Sequence, residues 1–238
     1  MIIIPMAGLS SRFFEAGYQL PKYMLEANGK TIFSHSVSSF ENYFDSETFV
    51  FIIRDIFNTK TFVERELMKL NIKNFTIHVL DDETQGQADT VAQGLNELKI
   101  YNDSITIFNI DTVRKRFTHP NYNRDIDGYL EVFLGEGKNW SFVQPSKKHF
   151  NMVSATAEKK QISNLCSNGL YGFKTAEYFI DSFNQFKEQY DWECGELYIA
   201  PIYNVCIMNG GKIKYRLVEI DELEFIGTPA EFINFSGN

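Results

Sequence analysis

Over its first 110 residues the chain alternates short apolar runs with amphipathic stretches, and that alternation constrains the fold more than any other feature. Ile2, Ile3 and Ile4 read as a buried strand, and a loop containing glycine and serine follows. Ile32, Phe33, Val37, Phe40 and Phe44 fall largely at three- and four-residue spacing, which predicts a helix over 31–43. Residues 48–53 (TFVFII) are β-branched and aromatic, as a strand requires. The same reading predicts a helix over 60–70, a strand over 75–80, a helix over 87–98 and a strand over 104–110. Strands separated by helices must be joined by crossovers, so the expected class is α/β: a Rossmann-like, mostly parallel sheet flanked by helices.

After Asp111 the pattern changes. Residues 129–134, 140–143, 153–157 and 169–173 are strand candidates with no helices between them. Helical stretches follow over 175–190 and 196–209, the latter bent or begun at Pro201, then a strand over 212–220 and a helix over 229–235. No linker or repeat divides the chain. The expectation is one domain, 1–238, with an antiparallel lobe built into its second half.

Composition narrows the function classes. A chain of 238 residues with 44% hydrophobic and 23% charged residues is neither disordered nor fibrous. Its net charge of −8 repels nucleic acid at long range while leaving room for a locally basic pocket. The apolar start, 1–9, contains Pro5 and Gly8 and falls far short of the ~20 residues that span a bilayer. No basic region precedes it, so no signal peptide and no membrane partner are expected, and the reading places the protein in the cytoplasm. Cys166, Cys194 and Cys206 form no CxxC and cannot all pair, which suits small buried hydrophobes in a reducing compartment.

In a parallel α/β sheet, ligands bind outside the carboxyl ends of the strands. That rule selects three loops. The first holds Ala7, Gly8, Leu9, Ser10, Ser11 and Arg12, with Pro21 and Lys22 ten residues on. Small residues there let backbone N–H groups approach a phosphate, and Arg12 and Lys22 add donors and charge. An ordinary strand–helix connection with a surface arginine is the plain alternative, since neither GxxxxGK[ST] nor GxGxxG is present. The second loop carries Gln85, Gly86 and Gln87, whose amides can read a base edge, or which simply cap the next helix. The third ends in Asp111, placed either as a Mg²⁺ ligand beside substrate phosphates or as a helix cap.

Taken in order, these segments resemble the nucleotidyltransferase family with the GT-A-like fold, the pyrophosphorylases that make nucleotide-activated sugars and related head groups. PMAGLSSRF followed by Pro21-Lys22 is similar to that family's opening signature, and Gln85-Gly86-Gln87-Ala88 to its base-contacting segment. Asp111 matches the family's metal aspartate, Glu158-Lys159 its acceptor-binding pair, and Asn168-Gly169-Leu170-Tyr171-Gly172-Phe173 its N-G-I/L-Y-x-F strand. Gly195-Glu196-Leu197-Tyr198 and Gly227-Thr228-Pro229 resemble later landmarks, so the likeness spans nearly the whole chain. PKYMLEANGKTIFSHSVSSF and Asp89-Thr90-Val91 further resemble small capsule-locus cytidylyltransferases, some of which activate non-sugar phosphates such as phosphoglutamine or phosphocholine.

The resemblance implies roles. Main-chain groups of Ala7, Gly8, Leu9, Ser10 and Ser11 would hold a nucleoside triphosphate, with Gln85 and Gly86 against the base. Arg12 would bind the leaving pyrophosphate, Lys22 the α-phosphate and Asp111 the Mg²⁺. Glu158, Lys159, Gly169 and Glu196 would face a phosphorylated small-molecule acceptor, and Tyr198 and Trp192 are candidates to line its pocket. Residues 1–112 would be the nucleotide-binding half and 113–238 the acceptor-binding half, with CTP the favoured nucleotide and a homodimer left open. A uridylyl- or thymidylyltransferase acting on a sugar 1-phosphate is the rival enzyme. An inactive nucleotide-binding regulatory subunit and a GT-A glycosyltransferase are rivals of other kinds, the latter weakened by Asn109 where an Asp-x-Asp motif would begin. One departure stands out: many members carry a second metal aspartate two residues before the final Gly-Thr, and Phe225 occupies that position. Strand alternation aims the adjacent Glu224 at the other face, and Asp221 shares the parity of Phe225 but lies four residues away. Either the metal relies on Asp111 with phosphates and water, or its second ligand comes from elsewhere, such as Glu196.

Overall fold

The structure is a computed structural model that describes residues 1–122, 125–189 and 195–237. In chain order the elements are β1 (Ile2–Met6), α1 (Ser11–Glu15), β2 (Glu26–Ala27), β3 (Lys30–Thr31), α2 (Ile32–Val37), β4 (Phe49–Ile53), α3 (Thr59–Lys69) and β5 (Phe75–Val79). They continue with α4 (Gln87–Glu97), β6 (Ile105–Phe108), β7 (Thr112–Arg114), β8 (Gly128–Leu134), β9 (Ser141–Pro145), β10 (Val153–Glu158) and β11 (Leu165–Phe173). Last come α5 (Ala176–Gln189), α6 (Ile202–Met208), β12 (Ile213–Leu217), β13 (Leu223–Phe225) and α7 (Pro229–Ser236). The architecture is the expected mixed α/β class, a mostly parallel central sheet flanked by helices.

The chain forms two compact units that interleave along the sequence. The first joins Ile2–Glu83, Phe108–Thr118 and the segment from Asp221 onward; the second joins Met1, Thr84–Ile107 and His119–Ile220. Neither unit is a continuous half of the chain.

In the first unit, β1, β4 and β5 lie side by side in parallel, with Ile3 opposite Val50 and Val50 opposite Thr76. Every residue of β1 and β4 is buried, as expected of parallel strands covered on both faces, and this is why they read as unbroken apolar runs. The helix predicted over 31–43 is shorter than its periodicity suggests. Thr31 Oγ1 caps α2 by accepting the Ser34 N–H, and after Val37 the chain tightens into a 3₁₀ turn whose Phe40 leaves helical geometry at φ −107°. Phe40 there packs edge-on against Phe49, Phe108 and Phe117. That aromatic contact outweighs the helical continuation. The last segment returns to this unit: β13 pairs antiparallel with β7, placing Phe225 opposite Thr112, and α7 seats Phe232 against Phe13 and Tyr18.

In the second unit β8 pairs antiparallel with β11, and β9 with β10, as the lobe was expected to do. β12 pairs with β8 in parallel, a departure from an all-antiparallel lobe. Tyr203 of α6 stacks on Phe173 and donates its hydroxyl hydrogen toward the carbonyls of Tyr129 and Gly172. The helix predicted over 196–209 is a correction: only α6 is helical, and Glu196 lies in a loop, because the helix begins after Pro201, a residue that suits a helix start and not its interior. Cys166 and Cys206 are buried free thiols, and burial raises both pKa values, Cys166 to about 11. Cys194 and Trp192 lie outside the described residues. Among the described residues no helix is long and apolar enough to cross a membrane.

Candidate active site

The predicted site residues fall into two groups, one on each unit. On the first unit the loop after β1 carries Ala7, Gly8, Leu9 and Ser10 into α1, which bears Ser11 and Arg12. Gly8 has open space around its Cα, and Gly8, Leu9, Ser11 and Arg12 are exposed. Ser10 adopts a left-handed backbone at φ 55°, unusual for a residue other than glycine. Its Oγ accepts the Lys22 N–H at 3.1 Å, which ties the loop to the Pro-Lys segment. A strained residue held by such a contact marks a loop whose shape is imposed by its surroundings. Arg12 forms no ion pair among the described residues.

Lys22 Nζ lies 2.7 Å from Asp111 Oδ2, with both side chains partly exposed. The carbonyl of Asp111 accepts the Ile226 N–H at 2.8 Å, so the end of β13 is laced to the aspartate. Gly227 follows directly. A Cβ added there would stand 2.8 Å from Asp111 Oδ2 and 3.6 Å from Glu231 Oε2. The two carboxylates therefore converge on a space that any side chain at 227 would fill.

That geometry suits the cation implied by the family resemblance. Mg²⁺ prefers hard oxygen donors and is usually held by one or two carboxylates together with phosphate and water. Asp111 and Glu231 are such a pair, and among the described residues no cluster of three or more acidic, His or Cys side chains offers a rival. Glu224 Oε1 pairs with Lys115 at 2.7 Å, and Asp221 lies near Arg116. Phe225 is bound into the β7–β13 ladder. Glu231 is the residue sequence reasoning missed. Its signal was Thr228-x-x-Glu231, a capping-box pattern that reads as a helix start, and Thr228 Oγ1 does accept the Glu231 N–H.

On the second unit, Gly86 lies at φ +140°, and a Cβ there would fall 2.5 Å from the Leu197 nitrogen. Only glycine fits. The Leu197 peptide sits against the loop, donating its N–H to the Gln85 carbonyl at 2.8 Å and accepting the Ala88 N–H at 2.9 Å. The buried Asp89 in turn accepts the Gln85 N–H at 2.9 Å and the Gln93 amide at 2.9 Å. Gln85 is left exposed on a fixed backbone.

Glu158 ends β10 and accepts a short hydrogen bond from Ser141 Oγ. Burial pushes its carboxyl above the usual range, against the opposing pull of Ser141 and Lys159, and nearby Glu196 adds to the rise. Lys159 has a left-handed backbone at φ 54° and donates from Nζ to the Tyr198 hydroxyl, 4.5 Å from that ring's centroid. Gly169 lies within the irregular stretch of β11 between Ser167 and Tyr171, beside Asn168, whose amide donates to the buried Glu131. Gly169 is itself buried, whereas Glu196 is exposed.

No protein-family model and no curated protein matches the chain. Among solved structures, a nucleoside-diphosphate-sugar pyrophosphorylase from Vibrio cholerae RC9 is 49% identical over the full length of both chains, with a TM-score of 0.95. The inositol-1-phosphate CTP transferase from T. maritima shares the fold at a TM-score of 0.74 and 15% identity, over 97% of this chain and 90% of that one. A UTP-bound UGPase from Acinetobacter baumannii does so at 0.73 and 13%, over 99% and 91%. With a relative this similar along its entire length, the chain belongs to the nucleotide-sugar pyrophosphorylases, nucleotidyltransferases of the GT-A-like fold.

Proposed function

We propose that this chain transfers a nucleotidyl group from a nucleoside triphosphate to a phosphorylated small molecule, releasing pyrophosphate. The observation that carries the reading is Asp111, paired with Lys22 and converging with Glu231 at Gly227. An acceptor phosphate oxygen attacks the α-phosphorus in line, the bond to the bridging oxygen of the β-phosphate breaks, and pyrophosphate leaves. Both reactants are anions, so catalysis consists mainly of alignment and charge neutralisation. Asp111 and Glu231 would hold Mg²⁺, which supplies neutralisation of the phosphate oxygens. Lys22, paired with Asp111, would meet the charge that builds on the α-phosphate. Arg12 presents a fork of donors suited to the departing pyrophosphate, and Lys159 holds the acceptor phosphate. The nucleotide would be bound mainly by the 1–112 half and the acceptor by the 113–238 half.

The finer reading is a cytidylyltransferase of surface or capsule polysaccharide synthesis, with a sugar or non-sugar phosphate as acceptor. It rests on the PKYMLEANGK and Asp89-Thr90-Val91 segments. The 49% identical relative, named a nucleoside-diphosphate-sugar pyrophosphorylase, favours a second reading with UTP or dTTP and a sugar 1-phosphate. Pyrophosphate release from each of the four ribonucleotides and dTTP, screened against sugar 1-phosphates, phosphocholine and phosphoamino acids, decides between them. Nucleotide binding without release under any pairing would point to a regulatory subunit.

A further inference from the structure

Leu197 and Tyr198 are neighbours in sequence, yet their contacts reach two different parts of the second unit. The Leu197 peptide is hydrogen-bonded on both edges to the base-contacting loop, through Gln85 and Ala88, and Gly86 packs against it with no room for a Cβ. One residue on, the Tyr198 hydroxyl accepts from Lys159 Nζ, with the ammonium also close to the ring face. An exposed lysine on a four-carbon stem samples many rotamers, and a tyrosine partner selects one of them.

We propose that Leu197 and Tyr198 form a brace that ties the base-contacting loop to Lys159, so that filling the base site strengthens capture of the acceptor phosphate. This rests on the proposed function, in which Gln85 and Gly86 face the base and Lys159 the acceptor. The path is continuous: Gln85 and Ala88 to the Leu197 peptide by hydrogen bonds, Leu197 to Tyr198 by the chain, Tyr198 to Lys159 by a hydrogen bond. The loop end is stiff, because Asp89 holds the Gln85 N–H while Leu197 holds its carbonyl. The Lys159 end is pinned too, since its own N–H donates to the Trp140 carbonyl at 2.9 Å while its backbone stays left-handed. A binding linkage of this kind is reciprocal: whatever base occupancy does to acceptor affinity, the acceptor does to base affinity. Tyr198 is thus a positioning residue that acts through Lys159.

Pyridoxal 5′-phosphate is a suitable probe, because its phosphate directs its aldehyde to lysines in phosphate sites. Lys159 labelling is trapped with borohydride and read by mass spectrometry relative to Lys174, an exposed lysine paired with Asp127. Cytidine and uridine fill a base site without bringing phosphates. In the wild type, whichever nucleoside calorimetry shows to bind should raise Lys159 labelling by about twofold or more. Tyr198→Phe keeps the ring and the fold; it should lower labelling about fivefold and abolish the nucleoside response. Gly86→Ala, checked for folding by circular dichroism, should abolish the response while Tyr198 is intact. Wild-type labelling indifferent to a saturating nucleoside, or a full response in Tyr198→Phe, overturns the brace. Failure of the underlying reading looks different: neither nucleoside binds, or Lys159→Ala leaves the acceptor KM in the pyrophosphate-release assay unchanged, and then the brace falls with it.

Discussion

At the scale of single residues, the candidate site separates charges that neutralise from charges that hold. Glu231 can be tested without disturbing the start of α7, because glutamine also serves at the third position of a capping box. Glu231→Gln should therefore keep its melting temperature while weakening Mn²⁺ binding, read by electron paramagnetic resonance, by about tenfold or more. Asp111→Asn should do the same, and Gly227→Ala should act like either by placing a methyl 2.8 Å from Asp111 Oδ2. Wild-type Mn²⁺ affinity in Glu231→Gln would remove it from the cation site. The two lysines should divide along kinetic lines. Lys22→Ala should lower kcat with every acceptor, since its proposed place is where charge develops. Lys159→Ala should chiefly raise the acceptor KM, by the factor corresponding to about 1–3 kcal/mol for one lost charged hydrogen bond. The opposite pattern would reverse their assignments.

At the scale of elements, the first unit is stitched by a buried acid. Glu66 of α3 accepts hydroxyl hydrogen bonds from Thr31 and Ser34 at the start of α2, both at 2.9 Å, and pairs with Lys69 at 2.7 Å. Burial pushes its carboxyl pKa up, but the bonds from Lys69, Thr31 and Ser34 outweigh that, and the net shift is downward. A lowered folded-state pKa means the charged form stabilises the fold above the ordinary carboxylate range, and that stability is lost as pH falls through the lowered value. Glu66→Gln should then cost about 1–3 kcal/mol at neutral pH. The gap from wild type in urea melts should narrow as the pH is lowered. A gap that stays constant down to strong acid would show the carboxyl pKa to be the same in the folded and unfolded chains. Just after α2 the α-helix stops short of residue 43 for a tertiary reason: a local spacing rule does not see the contacts of Phe40 with Phe108 and Phe117.

For the molecule as a whole, a net charge of −8 repels a triphosphate at long range, so the proposed binding would rest on local charges such as Arg12 and Lys22. A nucleotide present at a hundred times its Kd adds about 2.7 kcal/mol to folded-state stability. For a chain of this size that is a rise in Tm of roughly 5–10 °C. Thermal shifts with CTP, UTP, dTTP, ATP and GTP thus rank the bases without an acceptor. Cytosine offers an amine where uracil and thymine offer a carbonyl, so a site built to accept from that amine penalises UTP by roughly 1–3 kcal/mol. CTP should give the largest shift, with the purines smallest. A larger shift with UTP or dTTP would transfer the assignment to the sugar 1-phosphate reading.

What the chain's own order of residues determined was local in origin. The apolar runs of β1 and β4, the three- and four-residue spacing in α3 and α4, and the loops at the strand ends could be read directly, because period and turn chemistry act between near neighbours. Those loops already contained Ser10, Arg12, Lys22, Gln85, Gly86 and Asp111. Glu196 was drawn into a helix for the same reason, since an apolar stretch beyond Pro201 looked continuous with it. Only the tertiary structure decided which distant groups meet. Glu231 closes on Asp111 because β13 pairs with β7 and turns at Gly227, and Tyr198 meets Lys159 because the neighbouring Leu197 peptide is seated against Gly86. Pairings between residues so far apart along the chain leave no periodic trace, since they follow from strand register and packing, which fix which side chains share a space once the elements have formed.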